Sequence, residues 1–156
     1  MKVYLCICSP ICIYRLGISV DKDILKQLWV KLAVNCVMNP HTALFGWHNQ
    51  RFLRENPMGV ECARAVCEEI SELCAKSGDV NIPPTAEELV EFTLNHVNSS
   101  NRSSMLQDVT AKRPTEVAYL NGWVARRAGK LGLKAPVNAH LARLVRAVEY
   151  DNTTCT

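Results

Sequence analysis

Apolar positions recur at helical spacing along most of this chain, and turn or capping residues separate the runs. Leu25, Leu28, Trp29, Leu32 and Cys36 form the first stripe. Asp21 can cap a helix from about Lys22 to Asn39, and Pro40 disfavours helical geometry at Asn39, so the helix is predicted to end there. The run HTALFG then reads as a short helix broken at Gly46, and GWHNQRFLREN as a polar loop. A long helix follows from Pro57 to Ser77, with Cys62, Val66, Ile70, Leu73 and Cys74 inward and Gly78 as its stop. After the linker Asn81 to Pro84, Thr85 and Glu88 make a capping box, and Leu89, Val90, Thr93, Leu94 and Val97 give that helix an apolar side. Ser104 and Gln107 make a second such box, opening SMLQDVTAK, which Arg113 and Pro114 break. Thr115 or Arg113 caps a helix to about Leu131, with Val117, Leu120, Val124, Ala128 and Leu131 inward and Gly132 at its end. Asn138 caps the last helix, whose stripe is Leu141, Leu144, Val145 and Val148, and residues 151–156 form a frayed polar tail. Residues 1–20 are rich in β-branched and aromatic types and read as short strands without partner strands later. The predicted fold is an all-α bundle over residues 21–150, preceded by a divergent, strand-like segment, 1–20.

One polar row stands out against these stripes. Lys31, Asn35 and Asn39 follow at four-residue steps, which puts them on one side of the first helix. The row is roughly 12 Å long at the helical rise, enough to lie along a small polar molecule. By spacing alone, Lys and Asn on a helix are usually just its solvated face.

Composition narrows the picture. A chain of 156 residues with 48% apolar and 21% charged residues suits one globular domain. A net charge of +3, with no basic run, gives no footprint for nucleic acid. Arg126 with Arg127 and Arg143 with Arg146 read as solvated helix faces. The eight cysteines include no C-x-x-C pair. Cys62, Cys67 and Cys74 fall in a helical pattern as small hydrophobes, while Cys6, Cys8 and Cys12 cluster without a histidine, so no metal site is predicted. His41 and His48 have no partner at ligand spacing and read as surface or packing residues. Reduced thiols point to a cytoplasmic protein. The opening MKVYLCICSPICIYRLG looks superficially like a signal peptide, but Pro10 and Arg15 interrupt it, and no run reaches membrane-spanning length. The glycosylation patterns at Asn98, Asn101 and Asn152 then read as chance matches. No Gly-x-Gly occurs, so the sequence carries no dinucleotide fingerprint.

Two long motifs, WVKLAVNCVMNPHTAL and SSMLQDVTAKRPTEVAYLNG, together resemble the C-terminal domain of ketopantoate reductase, the 2-dehydropantoate 2-reductase of pantothenate biosynthesis. The resemblance runs from about Ile18 to Glu149. It implies a bundle like the C-terminal domain of the 6-phosphogluconate dehydrogenase type. It also implies an active site in the cleft between that bundle and a Rossmann domain, and reduction of a short 2-oxo acid by NADPH. By motif position, Lys31 is similar to the family's catalytic lysine, and Glu116 to the active-site glutamate near the lysine and the nicotinamide. Asn35 and Asn39 are similar to substrate-binding asparagines, and Ser104 to the serine that holds the substrate carboxylate. Asn49 falls where another substrate asparagine is expected, in a loop that matches less well.

The chemistry suits these residue types. Hydride delivery to a ketone leaves negative charge on oxygen, which an ammonium can stabilise and protonate. A free lysine pKa of about 10.4 is high for that work, so the resemblance predicts partial burial to lower it and Glu116 nearby to hold the lysine charged and oriented. Ser104, at a helix N-terminus, would hold the carboxylate with help from free N–H groups. The sequence departs from the family pattern at His41, which stands for an apolar residue, and at Ala118, which stands for an acidic one. Residues 1–17 do not match the last strands of a Rossmann domain. The expectation is therefore half of a reductase, active with a separate Rossmann domain. A non-catalytic helical module that homodimerises or binds a small acid, and a truncated gene product, stand as alternatives.

Overall fold

The computed structural model describes residues 24–96 and 101–154. The strand-like 1–20 segment, the Asp21 cap, Val97, and Cys6, Cys8 and Cys12 lie outside the described residues. Those residues form six α-helices and one π-helical turn, with no strand. In order they are α1 (Ile24–Phe45), the π turn (Arg51–Glu55), α2 (Gly59–Ser77), α3 (Ala86–His96), α4 (Ser104–Thr110), α5 (Asn121–Lys130) and α6 (Pro136–Thr154). None of these helices is long and apolar enough to cross a membrane.

Pro40 does not end the first helix. α1 runs through it to Phe45, absorbing the HTAL stretch expected as a separate element. A proline inside a helix removes an N–H and orphans the carbonyl four residues earlier. Here that carbonyl belongs to Cys36, and the Asn121 side-chain amide donates to it at 2.9 Å. The side chains just past the proline add bonds of their own. His41 Nδ1 donates to the Val37 carbonyl at 2.6 Å, and Thr42 Oγ1 to that of Met38 at 2.7 Å. The break is thus repaired from outside the backbone ladder.

Asn121 belongs to a longer network. Its Nδ2 also donates to Asn138 Oδ1 at 2.9 Å, and Asn138 Nδ2 donates to Glu69 Oε2 at 2.7 Å. The Glu69 carboxylate further accepts the backbone N–H groups of Val137 and Asn138 at 2.7 and 2.9 Å. Asn138 is therefore not the cap of α6, as its position suggested. The helix starts at Pro136, and a carboxylate from α2 satisfies its first donors, which also complements its dipole.

Other boundaries shift for local reasons. The Thr85–Glu88 box forms in both directions, with Glu88 Oε2 on Thr85 N at 2.8 Å and Thr85 Oγ1 on Glu88 N at 3.2 Å. The second predicted box is off by one residue. Ser103, not Ser104, is the N-cap of α4, and its hydroxyl accepts from Leu106 N. Residues 116–120 are turns rather than helix, and Thr115 Oγ1 accepts the Val117 N–H at 3.2 Å. The supposed loop after Gly46 closes into the π turn. Gly59 permits this, because a Cβ there would collide with the Phe52 carbonyl. Gly78 ends α2 in the left-handed region at φ +70. The tail is helical to Thr154.

The main core joins α1, α2 and α3 through residues such as Val37, Val66, Ile70 and Leu89, with Phe52 of the π turn. Cys36, Cys67 and Cys74 are buried in it as free thiols, and burial pushes Cys67 up to about 12 and Cys74 up to about 11. Such thiols are weak nucleophiles. A smaller cluster, Ala43, Met105, Val117, Ala142 and Val145, ties α1, α4, the 116–120 turns and α6 together. The inward face of α1 differs from the predicted stripe. It consists of Trp29, Val30, Ala33, Cys36 and Val37, while Leu25 and Leu28 are 48% and 53% exposed. Leu144, predicted inward on α6, is exposed as well. In both helices the periodic pattern is wider than the face the neighbours cover.

Candidate active site

The polar row on α1 grades from solvent to interior. Lys31 is exposed, Asn35 half-buried and Asn39 buried. Lys31 lines a cavity of about 310 Å³ with Gln27, Val30, Val34 and Phe92, between α1 and α3. The described residues do not supply the partial burial expected for the lysine. A second cavity, of about 290 Å³, continues along the same groove past Lys26, Glu88 and Glu91.

At the buried end, three segments meet. Thr42 lies three residues beyond Asn39 and donates to its carbonyl at 3.2 Å in addition to that of Met38. The Thr42 and Ser103 hydroxyls are 2.6 Å apart, which binds α1 to the start of α4. Asn49 N donates to the Asn101 carbonyl at 3.2 Å, tying the loop after α1 to the same strip of chain. The fold thus brings Asn39, Asn49 and Ser104 onto linked segments. Ser104 is exposed in the first turn of α4, and because Ser103 does the capping, its own hydroxyl is not spent on the helix. Asn49 Oδ1 is buried with no hydrogen-bond partner among the described residues.

Glu116 arrives by a different route. It is exposed in the turn before α5, where its carbonyl accepts from Tyr119 and Leu120. The turn is held from two sides. Glu149 of α6 accepts the Thr115 N–H at 2.6 Å, and Val117 packs into the cluster with Ala43 and Met105. Lys31 and Glu116 form no ion pair with each other or with any other described residue. No three His, Cys, Asp or Glu side chains among the described residues could hold a metal ion. His41 is a packing residue, stacked on Phe52 with ring centroids 4.4 Å apart.

Thr42, Ser103 and Asn121 were not singled out from the sequence. The cap falls on Ser103 rather than Ser104, where its hydroxyl also meets Thr42. Asn121 gave no local signal, since the carbonyl it serves lies 85 residues away.

Residues 23–149 match the family described as ketopantoate reductase PanE/ApbA C terminal. The chain belongs to that family. Among curated relatives of the ketopantoate reductase family, the 2-dehydropantoate 2-reductase of Shigella flexneri is 37% identical over 131 residues, 83% of this chain and 41% of that protein. The enzyme of Archaeoglobus fulgidus is 36% identical over 128 residues, 81% of this chain and 42% of its own length. The chain therefore spans about two fifths of the curated relatives it matches. Among solved structures, a PanE/ApbA family ketopantoate reductase from Ralstonia eutropha aligns with a TM-score of 0.76 at 26% identity, covering 87% of this chain and 45% of that one. D-mandelate dehydrogenase, solved with NADH and anilino(oxo)acetate, aligns at 0.80 and 20% identity over 87% of this chain and 44% of that one, which shows the shared fold.

Proposed function

We propose that this chain is the substrate-binding and catalytic half of an NADPH-dependent 2-dehydropantoate 2-reductase. The observation that carries the reading is the junction of α1 and α4. There the family's two motifs are joined by a hydroxyl pair between residues 61 apart. In this reading the Ser104 hydroxyl donates to the substrate carboxylate. α4 has only seven residues, and its N-cap already takes Leu106 N, so the hydroxyl rather than the helix dipole carries that contact. Asn35 and Asn39 offer amide donors and acceptors along the row. Asn49 Oδ1 needs a donor, and a substrate hydroxyl is of the right type; left unpaired, such an atom costs about 1–3 kcal/mol.

Lys31 stabilises and protonates the carbonyl oxygen, and Glu116 orients the lysine. Lys31 is exposed among the described residues, so exclusion of solvent falls to whatever covers the groove. NADPH would supply the hydride. Its pyrophosphate needs a glycine-rich cradle, and no Gly-x-Gly occurs in this sequence. The residues here fit the substrate end of the reaction and do not fit the dinucleotide, whose binding is assigned to a Rossmann domain outside this sequence.

The test is reconstitution. The purified chain with NADPH and ketopantoate is expected to show negligible reduction, and addition of a family Rossmann domain to restore it. Robust turnover by the chain alone contradicts the half-enzyme reading. The exposed apolar face at Ile24, Leu25 and Leu28 favours a second reading, a helical module that associates without catalysis. Calorimetric titration with pantoate separates the two. Binding weakened by Lys31→Ala and Ser104→Ala supports the site, and no binding supports the module.

A further inference from the structure

We propose that Thr42 is a positioning residue, whose hydroxyl sets the register between Asn39 on α1 and Ser104 on α4. The inference rests on the reading of those two residues as substrate contacts. Thr42 is fully buried and Ser103 nearly so. Their hydroxyls form a directed chain. Thr42 Oγ1 spends its proton on α1 carbonyls, at 2.7 Å from Met38 and 3.2 Å from Asn39. It can then only accept from Ser103, whose own oxygen accepts the Leu106 N–H at 3.0 Å. Each hydroxyl donates and accepts, so both rotors are fixed.

Capping of α4 alone requires none of this, since Ser103 Oγ on Leu106 N suffices. The bond to Thr42 is extra, and it crosses between helices. Around it, Ala43 and Met105 make only apolar contact. Such contact is non-directional and tolerates a slide along the helix surface. The hydroxyl pair does not, because its strength falls steeply with distance and angle. Ser104 follows Ser103 directly, and Asn39 precedes Thr42 by less than one turn. The route between the two proposed substrate groups is therefore short, with a single non-covalent step.

The experiment uses the full chain, with pantoate as the probe followed by NMR titration, and amide hydrogen exchange as a ligand-free readout. Thr42→Val keeps the side-chain shape and loses the hydroxyl. It is expected to weaken pantoate binding about tenfold, the size of one lost directional hydrogen bond, and to speed exchange at the start of α4 while α2 keeps its protection. Thr42→Ser is expected to recover most of the affinity. If Thr42→Val does not fold, Ser103→Gly breaks the same bond from the other side, because glycine is tolerated at an N-cap. A folded Thr42→Val or Ser103→Gly protein that binds like the unsubstituted chain overturns the inference, as does Thr42→Ser binding no better than Thr42→Val. If the unsubstituted chain fails to bind pantoate, the site reading fails instead. Unchanged exchange at α4 in Thr42→Val then overturns the register role as well.

Discussion

The two ends of α1 invert the usual rule. Its first nine residues leave Ile24, Leu25 and Leu28 in solvent, whereas its last seven bury Asn39, His41 and Thr42. Leu25, Leu28, Trp29 and Leu32, with Asp79 and Trp123, line a shallow groove of about 190 Å³. Trp29 and Trp123 meet at its floor, with centroids 5.8 Å apart. At the other end His41, Thr42 and the Asn121 amide nitrogen each have a task. His41 serves the Val37 carbonyl, Thr42 serves Met38 and Ser103, and Asn121 serves the carbonyl that Pro40 orphans. Buried polar groups persist where they are bonded, and exposed apolar ones are tolerated singly but mark a surface when contiguous. One helix thus has a structural end, where polarity holds the bundle together, and an open end, where apolar area is exposed among the described residues.

The sharpest way to break this contrast is Asn121→Leu. It leaves the Cys36 carbonyl and Asn138 Oδ1 buried without donors, and a loss of about 3–5 kcal/mol is expected in urea unfolding. Pro40→Ala in that background returns an N–H to the ladder, so recovery of about 1 kcal/mol is expected. No recovery would mean that the Cys36 carbonyl is not what Asn121 repairs.

A smaller effect is expected from pH. Burial holds His41 below its ordinary value, against the opposing pull of its bond to the Val37 carbonyl. The unfolded chain then binds more protons than the folded one once pH drops below the free histidine value of about 6.5. Stability is full above that value and declines as pH falls from it towards the lower folded pKa. Melting curves between pH 8 and pH 5 should show the decline, and His41→Leu should remove this component. An equally steep decline in His41→Leu would assign it to other groups.

The smallest effect belongs to the open end. Leu25→Ser with Leu28→Ser is expected to change stability by no more than about 0.5 kcal/mol each. A cost of several kcal/mol would show that something already covers the groove.

The sequence made some of this legible and hid the rest for physical reasons. Gly78 and the Thr85–Glu88 box could be read locally because their partners lie within three or four residues. Pro40 could not, since its compensation comes from Asn121. Leu25 and Leu28 misled because a helical period says which residues share a side, not whether a neighbour covers that side. Among the candidate site residues, Lys31, Asn35 and Asn39 form a row by spacing. Asn49, Ser104 and Glu116 acquire meaning only through the resemblance, because they lie on separate segments.

Glu149 gives the last helix a reach beyond its own packing. Its carboxylate holds the Thr115 amide, one residue from Glu116. A chain cut just before this residue would keep Leu141 and Val145 in place and still look folded. It would have lost one of the two holds on the turn that carries Glu116, so under the proposed function damage at the far terminus would surface as a defect in chemistry.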